Sequence, residues 1–307
     1  AEYTRTGLNR YGGEWCSRGE IGRITGLRSE FFQPAGERGQ YFALPYIEYR
    51  AFDQPLRAGD FLLSTYRLRR AALGMDIGWD LGQSDRIYAG IYRGHATANV
   101  SVGDSAVLPD LSANTGAVRL GYVRDTLDDA NFPGEGSRGE VLLVSELAAL
   151  GSSGDGETFE LNWDKALSRG ANRILFGSRV HLGWGEPNPL ETLAPLGGFL
   201  NLSGFTEREL LGENLLLLRS VYYRRLGDSG QLFSVPAFVG GSIETGNVYE
   251  TRDALISLEN LIWSGSIFVG LDSPFGPIFL GKMARGEIRE IVARGTKHIV
   301  GTFTKLN

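Results

Sequence analysis

Hydrophobic and polar positions alternate with a period of two over many short segments of this chain. From Thr158 to Lys165, Phe159, Leu161 and Trp163 fall on one face of an extended strand, and Thr158, Glu160, Asn162 and Asp164 fall on the other. From Arg173 to Trp184 one side carries Ile174, Phe176, Ser178, Val180, Leu182 and Trp184. The opposite side carries Arg173, Leu175, Gly177, Arg179, His181 and Gly183. A soluble sandwich turns its apolar face inward. Glycines and charges sharing an inner face suit a polar lumen enclosed by an apolar outer band, at a segment length that lets a tilted strand cross a bilayer.

Read this way, the chain predicts fifteen strands, near residues 2–9, 11–21, 23–33, 41–53, 61–82, 85–102, 113–126, 137–151, 156–168, 171–184, 214–226, 232–247, 265–273, 276–284 and, weakly, 288–303. Turn signals separate many of them, among them Pro34-Ala35-Gly36, Gly82-Gln83-Ser84, Ser168-Arg169-Gly170 and Gly227-Asp228-Ser229-Gly230. The expected architecture is an all-β, transmembrane antiparallel β-barrel. Bacterial single-chain barrels have even strand numbers, so an odd count that opens in mid-strand predicts sixteen in the parent. Residues 1–284 are expected to form the barrel without its first strand, and 285–307 a final strand or an atypical tail. Glu287 to Arg294 spaces Ile288, Ile291 and Val292 as a helix does. The chain ends in Lys305-Leu306-Asn307.

The longest connection expected to lack strands is residues 185–213. Long, glycine-rich loops are usually functional or disordered. This one carries Leu190, Leu193, Leu196, Phe199, Leu200, Leu202 and Phe205, too apolar for disorder, and is expected to fold into the lumen. Its tip, Leu202-Ser203-Gly204-Phe205, is followed by Arg208. Glu244, on the strand after the loop's own strand, is the candidate clasp: a carboxylate there could hold Arg208 in a bidentate, charge-assisted pair.

Composition narrows the chemistry. The 307 residues carry a net charge of −5, which does not suggest a nucleic-acid surface. Glycine is abundant at 43 and proline sparse at 11. The single cysteine, Cys16, excludes an internal disulfide, and no apolar run reaches the length of a membrane helix. No signal peptide is read at the start. A hydrolase elbow of the form Gly-x-Ser-x-Gly is absent, and Gly151-Ser152-Ser153-Gly154 reads as a hairpin turn. His95, His181 and His298 are far apart, and no zinc spacing or phosphate loop appears. The acidic stretch Asp125 to Gly134 lacks the ligand spacing of a calcium loop and reads as a polar turn. No catalytic residue, metal or cofactor is expected in this chain.

Leu196-Gly197-Gly198-Phe199-Leu200-Asn201-Leu202-Ser203-Gly204-Phe205, with Glu209-Leu210-x-Gly212-Glu213-Asn214 behind it, resembles the lumen-loop motif of the BamA-type outer-membrane superfamily. Asp125-Thr126-Leu127-Asp128-x-x-Asn131-Phe132-Pro133, Glu244-x-Gly246-Asn247-Val248 and Gly270-Leu271-Asp272-Ser273-Pro274-Phe275-Gly276-Pro277-Ile278 match as well. Asn9 to Glu14 and Glu30 to Pro34 resemble the patatin-like autotransporter branch, type Vd. Together these motifs reach from about residue 1 to 284. The resemblance implies a sixteen-stranded barrel behind one POTRA domain, preceded by an N-terminal patatin-like lipase with a Ser-Asp dyad; none of that enzyme is in this chain. There are two departures. Superfamily members that insert or secrete other proteins usually carry arginine where Ser203 stands, and the tail after Ala284 lacks the expected glycine-rich hairpin and terminal aromatic.

The expected function is that of an outer-membrane translocator and anchor for such a lipase. Its expected partners are outer-membrane lipids, its own POTRA and patatin domains and the barrel assembly machinery, with self-association left open and no nucleic acid. Two other readings stay open: an insertase or two-partner secretion pore, and a passive porin or surface barrel.

Overall fold

The computed structural model describes residues 1–22, 24–58, 61–103, 108–227, 235–258, 260–274, 276–286 and 303–304. Ten strands precede the long connection: β1 (Glu2–Arg5), β2 (Glu14–Glu20), β3 (Ile24–Ala35), β4 (Tyr41–Ala58), β5 (Phe61–Leu81), β6 (Asp85–Val102), β7 (Leu111–Asp125), β8 (Gly136–Glu146), β9 (Gly156–Arg169) and β10 (Asn172–Gly185). Inside it lie a one-turn helix, α1 (Pro189–Thr192), and two short strands, β11 (Ala194–Leu196) and β12 (Leu210–Gly212). Then come β13 (Asn214–Leu226), β14 (Ala237–Tyr249), a second short helix α2 (Arg252–Ile256), β15 (Ile262–Ser273), β16 (Gly276–Gly286) and β17 (Phe303–Thr304).

Among the described residues, fifteen strands form one sheet in the order β1 to β10, then β13 to β17, while β11 and β12 pair only with each other. Apart from the step from β10 to β13, which skips the β11–β12 pair, sequence neighbours in the large sheet are ladder neighbours, and the paired registers are antiparallel. Period-two patterning specifies this up-and-down order, because a one-residue slip would exchange the two faces of a strand. Every expected segment from 2–9 to 276–284 overlaps one of these strands, and 214–226 matches β13 at both ends. Expected residues 232–234 lie outside the described ones, and 2–9 and 137–151 overrun β1 and β8. The segment 288–303 lies outside the described residues except at Phe303, as do the helix-like spacing at 287–294, His298 and the final Lys305-Leu306-Asn307. β16 runs past the expected boundary at Ala284 to Gly286. The connection 185–213 is not strand-free: Ala194-Pro195-Leu196 pairs with Leu210-Leu211-Gly212. Triplets are too short for alternation to announce them.

The chain divides into two compact units. The first comprises Ala1–Arg124, Glu140–Glu160 and Leu182–Leu193. Its strands expose their aliphatic side chains: Leu73, Met75, Ile77 and Trp79 on β5, Ile87 and Ile91 on β6, and Val118 and Leu120 on β7 are all 39% or more exposed. The hidden face is mixed. Phe42, Leu44, Tyr46 and Tyr92 are buried there. Among them Arg119 donates two bonds to Asp76, at 2.9 and 2.6 Å. The Tyr46 ring lies 4.3 Å from the Arg28 guanidinium and 4.9 Å from that of Arg119, a geometry in which ring and cation attract. Arg28 in turn bridges Glu30 and Glu48 at 2.7 and 2.8 Å. Glycines leave room for the rings: a β-carbon at Gly74 or Gly121 would strike Tyr46 or Tyr88.

The second unit comprises Asp125–Gly139, Leu161–His181 and Ala194–Asn307. Leu218, Tyr222, Ile243, Ile267, Val269 and Leu280 are exposed, while Leu217, Val221, Tyr223, Phe238, Phe268 and Phe279 alternate with them and are buried. The β7–β8 turn sends Phe132 into this aromatic layer, stacked on Phe238 at 4.1 Å between ring centres. The acidic stretch is a turn, as expected. Asp128 accepts the backbone N–H groups of Gly134 and Glu135, and Asp129 those of Asn131 and Phe132. Among the described residues no three His, Cys, Asp or Glu side chains gather as a metal site would require.

Asp76 and Arg119 are 8% and 17% exposed, so removing one strands the other. Asp76→Ala is expected to lower stability by about 3–5 kcal/mol in chemical denaturation. Asp76→Ala with Arg119→Met should recover much of that loss. Additive losses in the double variant would show that the two groups act independently.

Candidate functional site: the loop between β10 and β13

Within the second unit the loop is a small built object. Its stem is the β11–β12 pair. Ala194, Leu196 and Leu202 are buried with Leu215 and Leu217 of β13 in one apolar cluster, and Phe205, Leu210, Val248 and Ile262 pack against it. Beyond the stem the backbone coils tightly. Gly197 N–H donates to Asn201 O at 2.9 Å, and Asn201 N–H to Gly198 O at 3.0 Å. Leu200, Leu202 and Arg208 all hold left-handed backbone, with φ of 57, 71 and 59°. For side-chain-bearing residues that conformation costs about 1–2 kcal/mol each, so contacts elsewhere must hold the coil in place.

The strongest of these is at the tip. Ser203 and Glu244 are both fully buried, at 0% exposure. The Ser203 N–H donates to Glu244 Oε2 at 2.6 Å, and the Ser203 hydroxyl donates to Oε1 at 2.7 Å. Ser242 donates to Oε1 at 2.6 Å, and Ser264 reaches Oε2 at 3.5 Å. Ser266 lies 2.7 Å from the Ser242 oxygen; with the Ser242 proton committed to Glu244, Ser266 is the donor of that pair. Four donors thus fill the roughly four acceptor positions of a carboxylate. Strand alternation supplies the cage: Ser242 and Glu244 share a face of β14, and Ser264 is the register partner of Glu244 on β15.

The expected clasp was Glu244 on Arg208, and the structure replaces that partner. The bonds of Glu244 go to Ser203, Ser242 and Ser264, and Arg208 is not among them. Arg208 instead has Glu207 and Arg179 as its charged neighbours. Burial is the dominant influence on it and, with Arg179, holds its guanidinium below the ordinary value against the opposing pull of Glu207. The physical reason for the exchange is size and polarity. A serine with its own N–H presents two donors to one carboxylate at the cost of one buried hydroxyl. With Ser242 and Ser264 converging from the strands, the acceptor positions of Glu244 are filled before a guanidinium is needed.

Three other arginines hold the loop. The Arg219 guanidinium donates to Leu200 O at 2.8 Å and to Asp164 at 2.6 Å. Gly177 makes this crossing available, since a β-carbon there would meet both Arg219 and Asp164. Arg179 donates to the Asn201 side chain. Arg285 of β16 donates to Glu209 at 3.1 Å, with its guanidinium 4.5 Å from the centre of the Phe205 ring. Gly204 sits against the backbone of Ala284 and Arg285, where a β-carbon would lie 2.9 Å from the Ala284 carbonyl carbon. Burial acts to raise the Glu209 carboxyl, but bonds from the Thr206 N–H and hydroxyl and from Arg285 outweigh it and leave it lowered. The sequence offered one signal for these anchors: arginines on the inner face of alternating strands, where an unpaired charge is costly.

Leu202, Ser203, Gly204 and Phe205 are therefore brought together with Glu244, and Arg208 is set apart from it. His95 and His181 lie on β6 and β10, and Ser152 and Ser153 fall in the β8–β9 turn. There Ser152 donates to Glu146 at 2.9 Å.

Solved structures share this fold. BamA from Haemophilus ducreyi, in a crystal structure lacking POTRA domains 1–3, superposes with a TM-score of 0.75 at 13% identity, over 92% of this chain and 63% of that one. CdiB from Escherichia coli gives 0.60 at 10% identity, over 99% and 56%. CdiB from Acinetobacter baumannii gives 0.54 at 8%, over 92% and 55%. The fold class is that of the antiparallel β-barrels of BamA and CdiB, and the chain spans between about half and two thirds of those chains. No family model matches the chain, and no curated protein matches it.

Glu244→Ala is expected to cost about 3 kcal/mol, because it leaves buried serine donors unpaired, and to speed proteolysis within residues 197–209. Arg208→Met leaves the serine cage around Glu244 intact, and should raise the cleavage rate less than Glu244→Ala does. Equal loosening by both variants would sink the serine cage as the clasp. A lowered Glu209 carboxyl stabilises the docked loop above the ordinary carboxylate range, and that contribution is lost as pH falls through the lowered value. Cleavage at acid pH should therefore rise in the wild type, and Glu209→Gln should blunt the rise.

Proposed function

We propose that this chain is an outer-membrane barrel that serves polypeptide export, and specifically the translocator and anchor of a patatin-like autotransporter. The observation that carries the reading is the inversion of the two faces. The strands turn Leu73, Ile77, Phe176, Ile243 and Ile267 outward and hide Asp76, Arg119, Asp164, Arg219 and Glu244. In water that arrangement would leave a large apolar surface exposed. Against acyl chains it is the expected one, and the ladders satisfy the backbone groups between paired strands, which lipid cannot do.

The fold shared with BamA and CdiB supports a barrel of the protein-handling kind. The loop supports it further: a passive pore has no need of an apolar element clamped by a buried carboxylate and three arginines. The autotransporter branch rests on the sequence motifs and on Ser203 standing where exporters of other proteins usually carry arginine. In this reading the chain itself performs no chemistry, and the lipase activity belongs to a domain ahead of it. The barrel assembly machinery, outer-membrane lipids and the protein's own upstream domains are its partners. The likeness to BamA and CdiB also favours a second reading, an insertase or secretion pore for other proteins.

The full-length protein, tagged ahead of Ala1, separates these. The translocator reading expects outer-membrane fractionation, heat-modifiable electrophoretic mobility and a tag cleaved by protease on intact cells. Loss of other outer-membrane proteins on depletion would point to the insertase. Steady open-channel conductance would point to a porin. Recovery in a soluble fraction would overturn the membrane assignment.

A further inference from the structure

On the first unit, the exposed face changes character along its strands. The apolar rows of β5 and β6 run from Trp79, Ile77, Met75 and Leu73 and from Ile87 and Ile91. Continuing on the same face, every second residue becomes Ala71, Arg69 and Arg67 on β5, and Arg93, His95, Thr97 and Asn99 on β6. The ladder fixes their neighbours: Leu73 pairs with Arg93, Ala71 with His95, Arg69 with Thr97 and Arg67 with Asn99. Arg93 and His95 are next to each other on this face of one strand, and Arg69 is the diagonal neighbour of His95. Such positions lie roughly 7–8 Å apart, within reach of long side chains.

These residues are short of acidic partners. Beyond the apolar rows, the same face of β4, β6 and β7 presents Tyr49, Ala51, Asp53, Asn99, Ser112, Asn114 and Gly116. Asp53 bonds Arg67 at 3.2 Å, and Asp110, just before β7, accepts the Val100 N–H at 3.0 Å. Arg69 donates to the neutral Asn99 at 3.0 Å, and His95 pairs with Asn114 at 2.9 Å. Elsewhere in the unit arginine meets carboxylate, as Arg119 meets Asp76 and Arg70 meets Glu191. Those lie on the hidden face.

We propose that Arg69, Arg93 and His95 form a binding patch for the phosphate-bearing headgroup of a membrane lipid, whose acyl chains lie along Leu73, Met75, Ile77 and Ile91. The inference rests on the membrane reading above and adds a ligand class to it. Charge complementarity carries it. Among the described residues these cations have no acidic partner and sit directly beyond an apolar band, so one amphiphile with an anionic head and hydrocarbon tails satisfies both halves of the face. Arginine suits the task because its planar fork matches phosphate oxygens. Basic residues at the rim of an apolar band are also placed where anionic headgroups attract them.

The test uses the intact protein in phosphatidylcholine nanodiscs, titrated with bisphosphorylated lipid A and, separately, with its dephosphorylated form. The wild type should prefer the phosphorylated lipid. Arg69→Gln with Arg93→Gln should weaken that binding roughly 30-fold, from two surface cations near a lipid headgroup. Arg38→Gln, an exposed turn residue at the other strand ends, should not change it. Binding that ignores the phosphates, or that survives the double variant, would overturn the patch while leaving the barrel standing. Competition by inorganic phosphate at the lipid's own concentration would also overturn it, by showing an ion site in place of a lipid site. Failure to enter nanodiscs at all would instead count against the membrane reading.

Discussion

Much of this structure follows from one constraint: a charged group on the hidden face of the sheet must find a partner there. The antiparallel ladder commits the backbone and sends alternate side chains to opposite faces. Once the exposed face is given to leucine, isoleucine and valine, the hidden face inherits the charges. A lone buried charge is too costly to persist, so each is matched. Asp76 meets Arg119, Arg28 meets Glu30 and Glu48, and Asp164 meets Arg219. Glu244 meets hydroxyls and an N–H instead of a cation.

The two units satisfy this constraint with different materials. In the first, tyrosines accompany the ion pairs, with Tyr46, Tyr88 and Tyr92 around Arg119. Each ring covers apolar neighbours and offers its face to a cation. In the second, phenylalanines dominate one part of the hidden face and serines another. Phe199 from the loop enters the aromatic part, beside Phe268 and Phe279, while Ser203 enters the serine part. One loop therefore engages both, and its left-handed residues are fixed at two ends.

Much of this was legible in the sequence, for a physical reason. Strands of ten or more residues repeat the period-two signal often enough to be read one by one, as β9 and β10 show. The apolar loop announced itself by composition. Its attachment did not. Choosing Arg208 as the partner of Glu244 followed the rule that a buried carboxylate seeks a cation, and the rule failed because Ser203, Ser242 and Ser264 converge only in three dimensions. Arg219 is the register partner of Glu244 on β13, yet its guanidinium turns to Asp164 and Leu200. No spacing along the chain encodes that choice. The stem strands β11 and β12 were likewise too short to show a period.

The serine cage also joins the loop to the sheet. Its donors come from the loop, from β14 and from β15, so Glu244 is fully solvated by protein only when those strands are paired in register. A shift of one residue on β15 would point Ser264 to the outside and leave the carboxylate short of a donor. Loop docking and strand register are thereby tied to one group: the carboxylate that fastens the loop is the same one that serines of two neighbouring strands satisfy.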